Sequence, residues 1–109
     1  MYPNRYIIFM YIIHKTDEFI DWLCKLRDIK AKARIAIKIS RVEDGLFGDN
    51  RSLGKGLNEL KIDYGPGYRV YYTIENDMIV LLIIGGDKST QERDIAKARL
   101  MMKTLKEKK

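Results

Sequence analysis

An uninterrupted apolar segment constrains the fold more than any other feature of the chain. The run "MIVLLIIGG" (78–86) has no polar side chain at any position. A strand with one face in water alternates apolar and polar residues, whereas a strand covered on both faces does not. We therefore expect this run to be a central strand of a sheet with both faces covered.

Two alternating strands precede this run and are joined by a turn. They are "LNELKI" (57–62) and "YRVYYTI" (68–74), and the "DYGPG" between them is rich in turn-forming residues. One face carries Leu60, Ile62, Tyr68, Val70, Tyr72 and Ile74. The other face carries Glu59, Lys61, Arg69, Tyr71 and Thr73, with Leu57 beside them. We assign the first set to the core and expect the second to lie on an open sheet surface.

Helical patterns flank these strands. After an N-terminal strand "YIIFMYII" (6–13), Thr16 is a candidate N-cap for a first helix. A second helix is predicted from near Ile29, with Gly45 ending it. Its expected apolar stripe comprises Ile35, Ile39, Val42 and Leu46. For a final helix, the pattern predicts a Ser89–Glu92 capping box and an apolar stripe of Ile95, Ala98, Met102 and Leu105.

The order of these elements predicts the fold class. We expect one α+β domain over residues 1–109, with an N-terminal strand, a two-helix hairpin, a three-stranded antiparallel meander completing one sheet, and a C-terminal helix. The segment "GDNRSLGKG" (48–56) is interpreted as a mobile basic loop.

The composition favours a polyanionic partner and disfavours zinc or disulfide chemistry. The net charge of +6 and pI near 9.4 are typical of proteins that bind nucleic acid, the ribosome or an acidic protein. A merely soluble basic surface is the alternative. Cys24, expected to be buried, and His14 are single residues of their types, so neither a disulfide nor a zinc site is predicted. The N-terminal apolar run is too short to span a bilayer, and we expect a cytoplasmic protein without a membrane partner or cofactor.

The expected open face has the composition of an RNA-binding surface. Arg69, Lys61 and Tyr71 share it, and Lys88 enters at the end of the last strand. Arg51 and Lys55 overhang from the loop, and the backbone N–H groups of Thr90 and Gln91 suit an anion. Cations that hold phosphates and an aromatic ring that stacks on bases are common in RNA recognition. The alternative is an ordinary polar strand face beside an ordinary helix cap.

Such a face contains groups that could cut RNA without a metal. The 2′-OH of RNA can attack the adjacent phosphate when a base accepts its proton, cations offset the charge of the phosphorane, and an acid protonates the leaving oxygen. A lysine close to other cations could act as the base. Arg69 could contact the phosphorane with two parallel hydrogen bonds.

Two motifs connect the chain to a known family. "ELKIDYGPGYRVYY" (59–72) and "LLIIGGDKSTQERDIAKA" (81–98) together resemble the RelE/ParE toxin superfamily, and more closely its HigB-like branch of addiction module killer proteins. "FIDWL" (19–23) and "KARIAIKISRVEDGLFGD" (32–49) fit the same branch. The resemblance runs from about residue 16 to residue 98.

The resemblance implies a RelE-like fold and a type II toxin–antitoxin function. Many members of the family cut mRNA in the ribosomal A site, and their antitoxin is often a helix-turn-helix protein that covers the active face or displaces a helix. It would here be HigA-like. Arg69 matches the family's arginine, and Lys61 matches one of its strand lysines if a loop of slightly different length is allowed. Lys88 lies near the position of the family's basic residue after the last strand. The chain lacks the family's downstream histidines and its C-terminal tyrosine, so the proton donor would be a lysine, Tyr71 or Tyr64.

Three functions remain open on these grounds. In the first, the chain is a ribosome-dependent mRNA endonuclease in which Lys61 is the base, Arg69 stabilises the transition state and Lys88 binds phosphate. Arg51, Lys55 and the C-terminal lysines would then dock on ribosomal RNA. In the second, it is a ParE-like inhibitor of DNA gyrase, which the same fold permits. In the third, it is an inactive module that only binds its antitoxin.

Overall fold

The fold is built around one mixed sheet. The structure is a computed structural model that describes residues 10–107. Its strands are β1 (Ile12–Lys15), β2 (Asn50–Gly54), β3 (Leu57–Ile62), β4 (Tyr68–Glu75) and β5 (Ile79–Asp87). Its helices are α1 (Asp17–Lys25), α2 (Ile29–Glu43) and α3 (Gln91–Glu107), with a 3-10 turn at Lys88–Thr90. The strand order is β1-β5-β4-β3-β2, and β1 runs parallel to β5 while the other neighbours are antiparallel. The predicted α+β class is confirmed.

The apolar run forms a central strand, as predicted. β5 lies between β1 and β4, with α1 and α2 on one face of the sheet and α3 on the other. A bulge interrupts the alternation of β5. Tyr71 pairs with Ile84 and Tyr72 pairs with Leu82, so Ile83 is an extra residue in the strand. Ile83 and Ile84 consequently both join the core beneath α3, while Leu82 faces the other helices.

The first core forms where α1 and α2 cover the sheet. The Thr16 hydroxyl caps α1 by accepting a hydrogen bond of 2.9 Å from the Phe19 amide, which confirms the predicted N-cap. Three members of the predicted α2 stripe are buried here, but Leu46 is 61% exposed because the helix has already ended at Glu43. This core contains Phe19, Ala31, Ile35, Ile39, Val42, Leu60, Ile62, Tyr68, Val70, Tyr72, Val80 and Leu82.

The second core forms beneath α3. Ala98 and Met102 are buried, and Ile95 and Leu105 are half-buried, which confirms the predicted stripe. They pack against residues of the sheet's opposite face, namely Leu57, Tyr71, Ile83 and Ile84. Among residues 10–107, no helix is both long and apolar enough to cross a membrane.

Several local predictions were wrong. The segment interpreted as a mobile loop contains β2, which pairs with β3 despite its glycines, so four strands rather than three follow the helices. Cys24 is exposed because it lies on the outer side of α1. The N-terminal strand was expected at 6–13, but the described strand is Ile12–Lys15, and residues 6–9 lie outside the described part.

The start of the final helix also differs from the prediction. Asp87, rather than Ser89, is the capping residue, and its carboxylate accepts a hydrogen bond of 2.8 Å from the Ser89 amide. Thr90 rather than Glu92 closes the reciprocal bond with the Asp87 amide. The 3-10 turn therefore precedes α3, and the predicted Ser89–Glu92 box is not formed.

Candidate functional site

The polar face of β3 and β4 is buried under α3, so the expectation of an open basic surface was wrong. Tyr71 and Glu59 are fully buried, and Arg69 is 7% exposed. The alternation itself was assigned correctly, because these residues do lie opposite the first core. A base cannot stack on Tyr71 while α3 is in place.

Three predicted catalytic residues nevertheless lie at the same end of this face. Lys61 stands directly opposite Arg69 in the β3–β4 register, and its side chain is 41% exposed. A Cβ built on Gly67 would lie 3.4 Å from Arg69 Nη1 and 3.6 Å from Lys88 Cβ, so the turn before β4 touches both residues. We call Lys61, Arg69 and Lys88 the cationic corner.

Glu59 is the centre of a polar network behind this corner. Its Oε1 lies 2.9 Å from Arg51 Nε and 3.9 Å from Arg69 Nε, and its Oε2 accepts a hydrogen bond of 2.7 Å from Gln91 Nε2. Burial alone raises the pKa of the Glu59 carboxyl. The hydrogen bonds from Gln91 and Arg51 and the charge of Arg51 outweigh burial, so the pKa is lowered and Glu59 is an anion at neutral pH.

Arg69 is held by its own backbone rather than by a tight ion pair. Its Nη1 donates to the carbonyl oxygens of Gly67 at 3.2 Å and Tyr68 at 3.4 Å. Its Nε has no hydrogen-bond partner among the described residues, because 3.9 Å to Glu59 Oε1 is too long for one. The guanidinium is thus charge-balanced by Glu59 but not locked to it.

Tyr71 and Asp94 complete the buried polar set. Burial, followed by the charge of Glu59, raises the pKa of the Tyr71 hydroxyl, which keeps it protonated. Asp94 is buried in the first turns of α3 and accepts a hydrogen bond from the Thr90 hydroxyl. Gly86 lies beside Arg69 in the sheet, and a Cβ there would collide with the Asp94 carboxylate. The bare backbone at Gly86 therefore lets α3 begin directly on the sheet.

The predicted RNA-contacting residues are not all brought together. Arg51 and Gln91 reach the network through Glu59, and the Thr90 hydroxyl is engaged with Asp94. Lys55 lies in the turn before β3, and the four strand steps from Leu57 to Lys61 alone span about 14 Å at about 3.4 Å each. Lys55 is therefore remote from the cationic corner.

The sequence analysis missed Glu59 and Asp94 as members of the site. Glu59 was visible as the carboxylate that alternates with Leu57 and Lys61, but its partners lie on β2 and α3. In the described part of the chain, no group of three or more His, Cys, Asp or Glu side chains could hold a metal ion.

The fold and a sequence relative place the chain among known proteins. The structure is similar to that of the E. coli toxin RelE, solved as a double arginine-to-alanine variant in the free state, with a TM-score of 0.65 and 19% identity. The match covers 83% of this chain and 97% of RelE, so the chain has a RelE-like fold. No protein-family model matches the sequence.

A protein of Haemophilus influenzae described as uncharacterized is 47% identical over 93 residues, which are 85% of this chain and 94% of that protein. The chain belongs to the same family as this H. influenzae protein. The fold and the family are thereby fixed, whereas the activity has to be argued from the site.

Proposed function

We propose that the chain is a HigB-like toxin of a type II toxin–antitoxin module that inhibits translation by cutting mRNA on the ribosome. The observation that carries this proposal is the cationic corner at one end of the RelE-like sheet. Lys61 and Lys88 are accessible there, and Arg69 stands between them in the sheet. A reacting phosphate requires positive charge around it, and the corner places three cationic residues at the same end of the sheet.

The corner supplies each part of a metal-independent cleavage. Lys61 accepts the proton of the 2′-OH, whose oxygen bonds to the adjacent phosphorus, and the bond from phosphorus to the 5′ oxygen breaks. The products are a 2′,3′-cyclic phosphate and a 5′-OH. Lys88 holds the phosphate and protonates the 5′ oxygen. Tyr71 is buried and the Tyr64 hydroxyl donates to Asp28 at 3.1 Å, so we assign the proton donor to Lys88 rather than to either tyrosine.

Arg69 stabilises the phosphorane in this proposal after a small rearrangement. Its guanidinium is 3.9 Å from Glu59 Oε1, and its Nη1 donates to the carbonyl oxygens of Gly67 at 3.2 Å and Tyr68 at 3.4 Å. None of these contacts is short, and a dianionic phosphorane attracts a guanidinium more strongly than a neutral carbonyl does. We therefore expect Arg69 to turn toward the phosphate when substrate binds.

The partners follow from this activity. We expect a helix-turn-helix, HigA-like antitoxin that blocks the corner, and the ribosome with its mRNA as the target. The reaction described above requires no metal and no cofactor. We also expect the toxin to act in the cytoplasm, where translating ribosomes are found.

The test is pulse labelling after induction in bacteria. We would follow methionine and thymidine incorporation with the original chain, with Lys61→Met, and with Lys97→Met as a control that removes an exposed lysine of α3. Methionine incorporation should stop first with the original chain and with Lys97→Met, but continue with Lys61→Met. A Lys61→Met variant that stops translation as fast as the original chain would contradict the proposal.

One observation favours a second function, that of a ParE-like gyrase inhibitor. Arg69 and Tyr71 are both buried, and Glu59 offsets the charge of Arg69. A protein that only binds a target does not need these groups exposed. In that case thymidine incorporation stops first. If neither label is affected, the chain is an inactive module that binds its antitoxin.

A further inference from the structure

A basic groove lies on the side of the molecule where α2 passes the end of β3. We call it the α2 groove; it has a volume of about 400 Å³. One wall is α2 and the other is the end of β3 with the residue before β2. Its lining residues are Arg34, Ile37, Lys38, Arg41, Asp49, Lys61, Ile62 and Asp63.

Cations dominate this groove. Four cationic side chains face two carboxylates, those of Asp49 and Asp63. Three of the cations come from α2 at positions 34, 38 and 41, which lie on one helix face and span about 10.5 Å along the axis. A row of that length on one wall suits a ligand with repeated negative charges better than a single small anion.

Apolar surface lies among these cations. Ile37 is 54% exposed in the middle of the α2 wall. Beside the groove, the guanidinium of Arg34 lies 4.6 Å from the centroid of the Tyr64 ring. Single-stranded nucleic acids combine a charged backbone with bases that seek apolar or planar surfaces, so this mixture matches their chemistry.

Lys61 connects the groove to the candidate site. It lines the groove, and it also stands opposite Arg69 in the cationic corner. The carboxylate of Asp49 is 4.0 Å from the Lys61 amine and 65% exposed, which is a weak pair that a phosphate can replace. A strand bound in the groove would therefore also contact the proposed catalytic base.

We propose that the α2 groove binds the phosphate backbone of a single-stranded RNA and leads that strand to Lys61. The identity of the ligand as RNA rests on the proposed function. The groove itself rests on the charge row of α2, on the exposed Ile37 and on the shared Lys61. Arg34, Lys38 and Arg41 contact successive phosphates, and Ile37 contacts a base.

The test measures binding without cleavage. The probe is a fluorescent, fully 2′-O-methylated RNA of about 12 nucleotides, which has no 2′-OH to react. Anisotropy titrations at several salt concentrations compare the original chain, an R34Q/K38Q/R41Q variant, and a K15Q/K97Q/K103Q control that removes the same charge from exposed positions on β1 and α3. All three proteins are checked for folding by circular dichroism.

The groove variant should lose affinity by about tenfold or more, and its slope of log affinity against log salt should fall by about 2, since each lost phosphate contact removes about 0.7. The affinity of the control for the probe should stay within about twofold of that of the original chain, because its lost charges lie outside the groove. Ile37→Glu, which adds a carboxylate at an exposed position, should weaken binding as well and carries the test if the triple variant does not fold.

Equal loss in the groove variant and the control would overturn the proposal, as would a failure of the original chain to bind the probe. A groove variant that keeps RNA binding but loses binding to polyglutamate would assign the groove to an acidic protein instead. The proposed function can fail separately. If RNA binding depends on the groove but thymidine incorporation stops first in cells, the groove proposal is supported and the proposed nuclease activity is contradicted.

Discussion

The two faces of the sheet are buried to a similar degree but are built from different chemistry. Beneath α1 and α2, the buried residues are apolar or aromatic. Beneath α3, an apolar core around Tyr71 and Met102 continues into a buried polar network of Glu59, Arg69 and Asp94. Both patterns come from the same two strands, because successive residues of β3 and β4 point to opposite faces.

This difference in composition indicates that the two faces have different roles. A polar network in a core stabilises less per residue than apolar packing and is costly when one member is removed. Its presence at the end of the sheet where Lys61 and Lys88 are exposed indicates that this face is shaped for more than packing. The face beneath α1 and α2 carries the fold, and the face beneath α3 carries the candidate site.

The largest expected effect concerns the apolar face. Val70→Asp places a carboxylate without a partner among fully buried side chains, which costs about 3–5 kcal/mol, a large part of the roughly 5–15 kcal/mol that stabilises a typical domain. We expect the variant to be unfolded or nearly so by circular dichroism and thermal melting. Ile74→Asp is the matched control on the same strand, and it should fold because Ile74 is 39% exposed. A Val70→Asp protein that melts like the original chain would refute the assignment of Val70 to a buried apolar face.

A smaller effect is expected in the polar network. Glu59→Gln removes the charge that balances buried Arg69, and we expect the free energy of unfolding to fall by about 3 kcal/mol. Arg51→Met removes a partner whose side chain is 57% exposed, so a loss of about 1 kcal/mol or less is expected. Urea denaturation of both variants decides the comparison. Equal losses of stability in the two variants would mean that Glu59 stabilises the fold mainly through Arg51 rather than through Arg69.

The smallest effect is the pH dependence that Glu59 confers. Its pKa lies below the usual 4.5, so its contribution is fully present above about pH 4.5 and is lost as the pH falls through the folded pKa. Urea denaturation between about pH 6 and pH 3 should show stability falling on acidification, and Glu59→Gln should flatten part of that slope. An identical slope in the variant would assign the acid sensitivity to other carboxyl groups.

Both faces should respond at the opposite end of the pH scale, because burial raises the pKa of Tyr71 beneath α3 as well as that of Tyr72 beneath α1 and α2. Burial raises the pKa of Tyr72 to about 12, so its hydroxyl keeps its proton in the folded state after the unfolded chain has lost it. Stability should therefore fall as the pH rises above 10, the ordinary value, and Tyr72→Phe should reduce that fall. A fall of the same size in Tyr72→Phe would exclude this residue as its cause.

The sequence predicted the fold well because its strongest signals are local. The alternation of β3 and β4 sorted Val70 from Arg69, and the continuous apolar run identified β5 as central. The error lay in treating the face of Arg69 as open, although a neighbouring strand covered on both faces already implied a helix there. Periodicity tells which residues share a face, but not how far a covering helix extends.

The site was predicted only in part because its contacts are long-range. That Lys61 and Arg69 share one face follows from the alternation and the turn that joins their strands, and was expected; the structure shows that they also stand directly opposite each other. The bond between Gln91 and Glu59 joins residues 32 positions apart, and nothing local in either segment indicates it. β2 was missed for the same reason, since its pairing with β3 outweighs the glycines that favour a loop.

The adjacent glycines near the end of β5 have a genetic consequence. A Cβ on Gly85 would collide with the Trp22 ring of α1, and a Cβ on Gly86 would collide with the carboxylate of Asp94 in α3. Every single-nucleotide missense change of a glycine codon encodes a residue that has a Cβ. Two neighbouring codons are therefore closed to missense mutation for independent reasons, one through each helix layer, and a mutational scan should find them as a pair of intolerant sites.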